Sequence, residues 1–217
     1  MFQRSFLALG ALLLALVSPS VAPASDTVSR MCHRNDDFTI LENANEGVGT
    51  TFTIRKTTPS FKADCTFEER PTDTVIGQNG NDDAFYYIAL RGDHLILDEG
   101  TSPDRWLAVF DVRSGRRILA APYWTPPESC PPSYGVSDDF RYDDSSVTFW
   151  RLIKEPATAK NCPVFREAKS IHMTPTLVEK SIFHFATMKM ESLKARRCMI
   201  PQGEYSGGYM INGVRQD

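Results

Sequence analysis

The clearest pattern of apolar and polar positions runs from residue 85 to residue 124. Four apolar runs occupy residues 85–90, 94–100, 106–112 and 117–124, and turn sequences such as Gly92-Asp93 and Ser114-Gly115 separate them. Short apolar runs bounded by Gly, Asp and Ser are typical of β-strands joined by tight turns. The segment therefore predicts four strands connected as antiparallel hairpins.

Similar runs precede this segment. Residues 38–41 (FTIL) and 51–56 (TFTIRK) are rich in Thr, Ile and Phe, and the Asn- and Gly-rich stretch between them is turn chemistry, so the two runs predict a hairpin. Residues 63–69 predict a third strand. Residues 70–85 are polar and contain Pro and Gly, which predicts a loop.

The C-terminal third predicts more strands and one helix. Residues 147–153 (VTFWRLI) predict a strand, and residues 163–169 predict a short helix. Within residues 176–200, Ile182 and His184 alternate with Phe183 and Phe185, which favours two strands over a helix. The Gly-rich residues 203–217 predict a loose tail.

Residues 122–146 interrupt the strand pattern. Residues 125–146 alone hold four prolines and four aspartates, a composition that excludes a helix. We expect a long Pro/Asp-rich loop here. Loops of this length within a compact domain tend to be functional or disordered.

Together these elements predict a mainly β fold in which antiparallel hairpins build a single sandwich- or barrel-like domain over residues 25–217, with little helix. Residues 106–119 resemble the edge of a β-propeller blade. A propeller needs at least about four similar blades at a spacing of roughly 40–50 residues. The stretch occurs once, so a full β-propeller is excluded.

The first residues have the features of a secretory signal peptide. Arg4 precedes an apolar run at residues 6–17, and Ala22-Pro23-Ala24 forms an A-x-A cleavage site. The run is shorter than the roughly 20 residues that span a bilayer. We expect residues 1–24 to be removed and the mature chain to be secreted or periplasmic, without membrane insertion.

Charge and cysteine content restrict the possible partners and indicate possible disulfides. The net charge is −3 and the acids and bases are interspersed, which makes nucleic acid an unfavourable partner. The chain has five cysteines, and export permits disulfides. We prefer the pairs Cys32–Cys65 and Cys162–Cys198, since each pair brackets a hairpin-like stretch, although spacing alone does not determine connectivity. Cys130 is then left over.

No local motif predicts catalysis, a metal site or a cofactor. His33, His94, His172 and His184 lack metal-ligand spacing. The sequence around Ser206 lacks the G-x-S-x-G spacing of a serine nucleophile. Asn79–Asp83 has the oxygen ligands of a calcium loop but lacks its Gly and its bidentate Glu. Cys130 is a candidate nucleophile only because the number of cysteines is odd and the preferred pairs leave it unpaired.

Aromatic residues in and beside the Pro/Asp-rich loop are the candidate binding residues. They are Tyr123, Trp124, Tyr134, Phe140 and Tyr142. Proline lowers the entropy cost of ordering a loop, and Tyr and Trp dominate binding hot spots. The alternative is that these rings fold back and cap the sheet.

Three functions follow from these features. The first is an exported, non-enzymatic protein that binds a protein or glycan partner. The second is a hydrolase with a dispersed site, using His94 with Asp98 or Glu99. The third rests on Ser206–Tyr209 (SGGY), which resembles the S-G-x-x-Y motif of periplasmic lysozyme inhibitors but is one residue shorter. That resemblance implies an inhibitor of a host lysozyme.

Overall fold

A computed structural model describes residues 30–77, 84–101, 105–124, 139–200 and 208–216. Strand accounts for 55 % of these residues and helix for 6 %, which confirms the mainly β class. The elements in chain order are β1 (Arg30–Arg34), β2 (Phe38–Ala44), β3 (Thr50–Lys56), α1 (Phe61–Asp64), β4 (Thr74–Ile76), β5 (Phe85–Arg91), β6 (His94–Glu99), β7 (Arg105–Asp111), β8 (Arg116–Trp124), β9 (Arg141–Tyr142), β10 (Ser146–Leu152), α2 (Phe165–Ser170), β11 (Thr176–His184), β12 (Lys189–Met199), β13 (Tyr209–Ile211) and β14 (Val214–Gln216).

The described strands form two antiparallel sheets. Sheet I has the order β1-β2-β3-β4, and sheet II has the order β12-β11-β10-β8-β7-β6-β5. The β13–β14 hairpin joins sheet II at β8, and β9 joins it at β10. Within the described ranges neither sheet closes into a barrel, so the architecture is sandwich-like.

The central strands of sheet II are buried on both faces. Leu95 and Leu97 pack with residues of sheet I, such as Phe52, in one core. Ile96, between them, packs with Phe149 of β10 in a second core on the opposite face. Successive side chains of a strand point to opposite faces. Burial of both faces therefore explains why the sequence shows continuous apolar runs here.

A segment at residues 57–73, here called the cap segment, lies on the outer face of sheet I. The side chain of Arg55 is buried and donates to the carbonyl oxygens of Asp64, Thr66 and Glu68. It also forms a two-point ion pair with Asp73, at 2.6 and 3.2 Å. All five guanidinium N–H groups thus have acceptors. Arg55 therefore holds the cap segment against sheet I.

Both predicted disulfides are present. The Cα atoms of Cys32 and Cys65 are 5.7 Å apart, and those of Cys162 and Cys198 are 5.0 Å apart. The first joins β1 to the end of α1, and the second joins the segment before α2 to β12. Two disulfides indicate an oxidising environment. Cys130 lies outside the described residues.

The outer edge strands of sheet II carry features that oppose edge-to-edge association. A bulge interrupts the pairing of β5, and the Tyr87 hydroxyl accepts the backbone N–H of Leu90 at 2.9 Å. At the other edge, the register of β12 shifts beside Glu179, and exposed Lys194 has a positive φ of 59°. Irregular edges pair poorly with other chains, and the charged residues of β12 oppose pairing further.

Several local predictions are confirmed and others are wrong. The hairpins, the strand at residues 147–153, the strand pair within 176–200 and a short helix near 163–169 are all present. Residues 63–69 do not form a strand, because α1 and a turn occupy them. The predicted loop at residues 70–85 contains β4.

The C-terminal tail and the Pro/Asp-rich segment also differ from expectation. Residues 208–216 are not loose: β13 and β14 form a hairpin, and Met210 and Ile211 pair with Ala120 and Leu119 of β8. Within residues 122–146, the last three residues of β8, both residues of β9 and the first residue of β10 are strand. Residues 1–29, which include the predicted signal peptide, and residues 125–138 lie outside the described part. In the described ranges, no helix has the length and apolar content to cross a membrane.

His94 connects the central hairpins to the end of β11. Its ring stacks on that of Phe185 with centroids 4.2 Å apart. Burial lowers the pKa of His94 below 6.5, against the opposing charges of Asp111 and Asp93. The folded protein therefore favours neutral His94, whereas the unfolded chain takes up a proton as the pH falls through about 6.5.

We expect the free energy of unfolding to decrease as the pH falls below about 6.5, until the pH passes the lower pKa of folded His94. Urea unfolding at about pH 7.5 and 5.5 measures the change. His94→Phe keeps a ring on Phe185 and should show a smaller decrease than the wild type. The control His184→Gln, at a position 39 % exposed, should match the wild type. An equal decrease in His94→Phe and wild type would contradict the assignment.

Candidate functional site

All three tryptophans of the chain lie on one face of sheet II. Trp106 of β7 is directly opposite Pro122 of β8, and Trp124 is two residues further along β8. Trp124 is in turn directly opposite Trp150 of β10. Directly opposed residues of antiparallel strands point to the same face, with Cβ atoms about 5 Å apart. The three rings therefore form a row across β7, β8 and β10.

Two cations extend this row onto β11 and β12. Lys180 is opposite Trp150 in the pairing of β10 with β11, and its Nζ lies 5.9 Å from the ring centroid of Trp150. The guanidinium carbon of Arg197 lies 4.4 Å from the same centroid. We call Trp106, Trp124, Trp150, Lys180 and Arg197 the tryptophan face.

Asp139 fixes the geometry of the face. Its Oδ1 accepts the indole N–H of Trp150 at 2.8 Å and lies 3.1 Å from Nη1 of Arg197. Burial opposes ionisation of Asp139, but the hydrogen bonds from Trp150 and Arg197 outweigh it and lower the pKa of the carboxyl group. Asp139 is therefore ionised near neutral pH, and it holds Arg197 over the indole.

The members of the face differ in exposure. Trp150 is only 3 % exposed and serves as the floor, packed with Leu152 and Val178. Trp124 and Trp106 are half-buried, and the side chain of Arg197 is 49 % exposed. Rings and guanidinium groups held in place by neighbours lose little entropy on binding. The face can therefore offer stacking and charge–ring contacts to a partner.

Residues 125–138, which lie outside the described structure, are flanked in the chain by one residue of this face and by the aspartate that binds it. Trp124 is the residue before 125, and Asp139 is the residue after 138. The last described residue before this gap is therefore a tryptophan of the face, and the first described residue after it is the aspartate that binds Trp150.

Three of the predicted binding aromatics, Tyr123, Phe140 and Tyr142, do meet, but they meet in the second core and not on an exposed surface. Of the four that the structure describes, only Trp124 lies on the tryptophan face. Tyr123 and Phe140 are 1 % and 4 % exposed and belong to the second core, with their ring centroids 6.0 Å apart. Their expected exposure is therefore wrong, because β8 directs Tyr123 to the inner face. Tyr142 is half-buried beneath Arg91, and Tyr134 lies outside the described residues.

The residues considered for a dispersed hydrolase site are separated. His94 begins β6, whereas Asp98 and Glu99 end it, about 13 Å or more away along an extended strand. Asp98 is buried and paired with Arg105, and Glu99 is paired with Arg117. The structure therefore does not assemble this set. Cys130, Ser206 and Asn79–Asp83 lie largely or wholly outside the described residues, among which no group of three or more His, Cys, Asp or Glu could hold a metal ion.

Sequence reasoning missed most of the face. The missed residues lie in four different strands, and most of them resemble ordinary strand or turn-flanking residues in the sequence. They are Trp106, Trp150, Lys180 and Arg197. Only the strand order and register show that they share a face with Trp124. One signal in the sequence could have indicated the face: the tryptophans occur within predicted strands whose other face is apolar.

No family model, curated protein or solved structure matches this chain.

Proposed function

We propose that the protein is an exported, non-enzymatic binding protein that holds another macromolecule on its tryptophan face. The observation that supports this most is the alignment of all three tryptophans on one face, with Lys180 and Arg197 beside them. Trp and Arg are the residues most enriched in binding hot spots.

A protein or glycan partner suits this face better than a nucleic acid. Aromatic rings stack on the apolar faces of sugars and side chains, and the fixed guanidinium of Arg197 can pair with a carboxylate. The negative net charge of the chain opposes binding to a polyanionic backbone. No cofactor is needed for such binding.

Secretion or a periplasmic location completes the proposal. The apolar run and A-x-A site in residues 1–24 support export, and the two disulfides agree with an oxidising compartment. The partner would then belong to the cell envelope or to the outside of the cell.

Trp124→Ala and Trp106→Ala should each weaken partner binding by about 1–3 kcal/mol. Quantitative capture of partners from envelope extract on the immobilised mature protein measures this. Phe61→Ala is the control, because Phe61 is 62 % exposed on α1, remote from the face. Normal capture by both Trp variants, combined with a lower Tm, would show that the rings only cap the sheet and would contradict the proposal.

A further inference from the structure

A second feature lies on the opposite side of β10 from Trp150, where the ends of β10, β11 and β12 meet. A cleft of about 230 Å³ is lined there mainly by charged residues, which are Arg151, Lys154, Glu155, Glu179 and Arg196, together with Ile153 and Gly208. Its volume is below the roughly 300–1,000 Å³ of sites for drug-sized ligands. The cleft can therefore hold only a small molecule. We call it the arginine cleft.

Arg151 has hydrogen-bonding capacity that the described residues do not use. Its side chain is 14 % exposed, and its single hydrogen bond within the described ranges is a long one of 3.3 Å to Glu179. Its Nε is buried without an acceptor in that part of the chain. Arg55, in contrast, has an acceptor for every N–H group. A nearly buried guanidinium with unused donors calls for another acceptor.

The ring of Tyr209 orients this guanidinium. The ring centroid lies 4.7 Å from Cζ of Arg151. Tyr209 begins β13, which is attached to β8. Contact with the ring restricts the motion of the guanidinium, so Arg151 is preorganised for an acceptor in the cleft.

Arg196 supplies the second cation. It binds buried Glu179 at 3.2 Å and Glu155 at 2.6 Å. The pair of Arg196 with Glu155 is exposed, since the two side chains are 50 % and 43 % exposed. Exposed pairs contribute little stability, so another carboxylate can replace Glu155 at small cost. Buried Glu179 remains between the two arginines.

We propose that the arginine cleft binds a small carboxylate, which takes hydrogen bonds from Arg151 and displaces Glu155 from Arg196. The planar guanidinium favours a carboxylate, because its parallel N–H groups match the two oxygens. This site is separate from the tryptophan face and does not depend on its function.

The test uses succinate as the probe, titrated into the mature protein at constant ionic strength, with binding measured by calorimetry. Arg151→Gln should weaken succinate binding at least tenfold. Glu155→Gln removes the competing carboxylate and should strengthen it severalfold. Arg116→Gln, which removes an exposed cation at the turn between β7 and β8, should leave it unchanged. Succinamide, the neutral counterpart, should not bind.

A second readout does not depend on the fold of a variant. In the wild type, the ¹⁵N signal of the Arg151 Nε–H should shift on addition of succinate, and the signal of the Arg55 Nε–H should not. No binding of succinate, equal binding to Arg151→Gln, weaker binding to Glu155→Gln, an unmoved Arg151 signal, or equal binding of sulfate would each overturn the proposal.

Discussion

Replacing Arg55 by Met should lower the free energy of unfolding by about 3–5 kcal/mol, because it breaks a buried ion pair by removing one partner. The side chain of Asp73 is 1 % exposed, so the variant leaves a buried carboxylate without its cation. It also removes the donors to three carbonyl oxygens of the cap segment. Each buried acceptor left without a donor adds to the loss.

Urea unfolding at neutral pH measures this effect, with Arg113→Met as the control. Arg113 also pairs with an aspartate, Asp93, but its side chain is 58 % exposed. Its loss should change stability little, since exposed pairs contribute little. A loss of less than about 1 kcal/mol in Arg55→Met would show that the cap segment holds itself in place, contrary to this account.

Removing the Cys162–Cys198 disulfide should cost about 3–4 kcal/mol, the loop-closure effect expected for residues separated by 36 positions. The bond ties the segment that carries α2 to β12. Cys162 is 2 % exposed, whereas most of β12 is exposed, so β12 has few other buried contacts. The strand should therefore separate from β11 more readily without this bond.

The double variant Cys162→Ser with Cys198→Ser is compared with the wild type by urea unfolding. Hydrogen exchange then locates the effect, and the amides of β12 should lose protection before those of β7. Unchanged protection in β12, or a stability within about 1 kcal/mol of the wild type, would contradict the role given to this bond.

Structural features that depend on residues close together in the chain could be predicted from the sequence, whereas features that depend on distant residues could not. The hairpins of β5 to β8 could be predicted because their apolar runs and turns are adjacent in the chain. The disulfides followed from export and from cysteines that bracket strand pairs. The hairpins are local in the chain, and the disulfide pairing is restricted by the positions of the cysteines around the strand pairs.

Elements stabilised by distant partners were missed. β1 has the polar sequence RMCHR, and its pairing with β2 and its bond to Cys65 stabilise it rather than any apolar pattern. β4 has three residues and, among the described strands, pairs only with β3. The β13–β14 hairpin depends on β8, where the paired residues Ala120 and Leu119 lie 90 or more positions earlier in the chain. Propensity over a few residues does not contain this information.

The candidate site shows the same limit. The loop composition made Trp124 a candidate binding residue. The strand alternation that buries Tyr123 could not be assigned to a face without knowing on which side the core lies. The tryptophan row arises from the pairing of β8 with β10, which are separated by the Pro/Asp-rich segment. A one-residue change of register would have moved Trp150 to the other face.

The most direct test of the binding proposal is site-specific photo-crosslinking in cells that export the protein. A photoreactive residue at Ile182, which is half-buried on the tryptophan face opposite Thr148, should crosslink to a macromolecule of the envelope or the exterior. The same residue at Phe61 is the control. The account predicts a crosslink at position 182 whose yield falls at least about fivefold when Trp124→Ala is added. A crosslink equal at both positions, or one unaffected by Trp124→Ala, would contradict it.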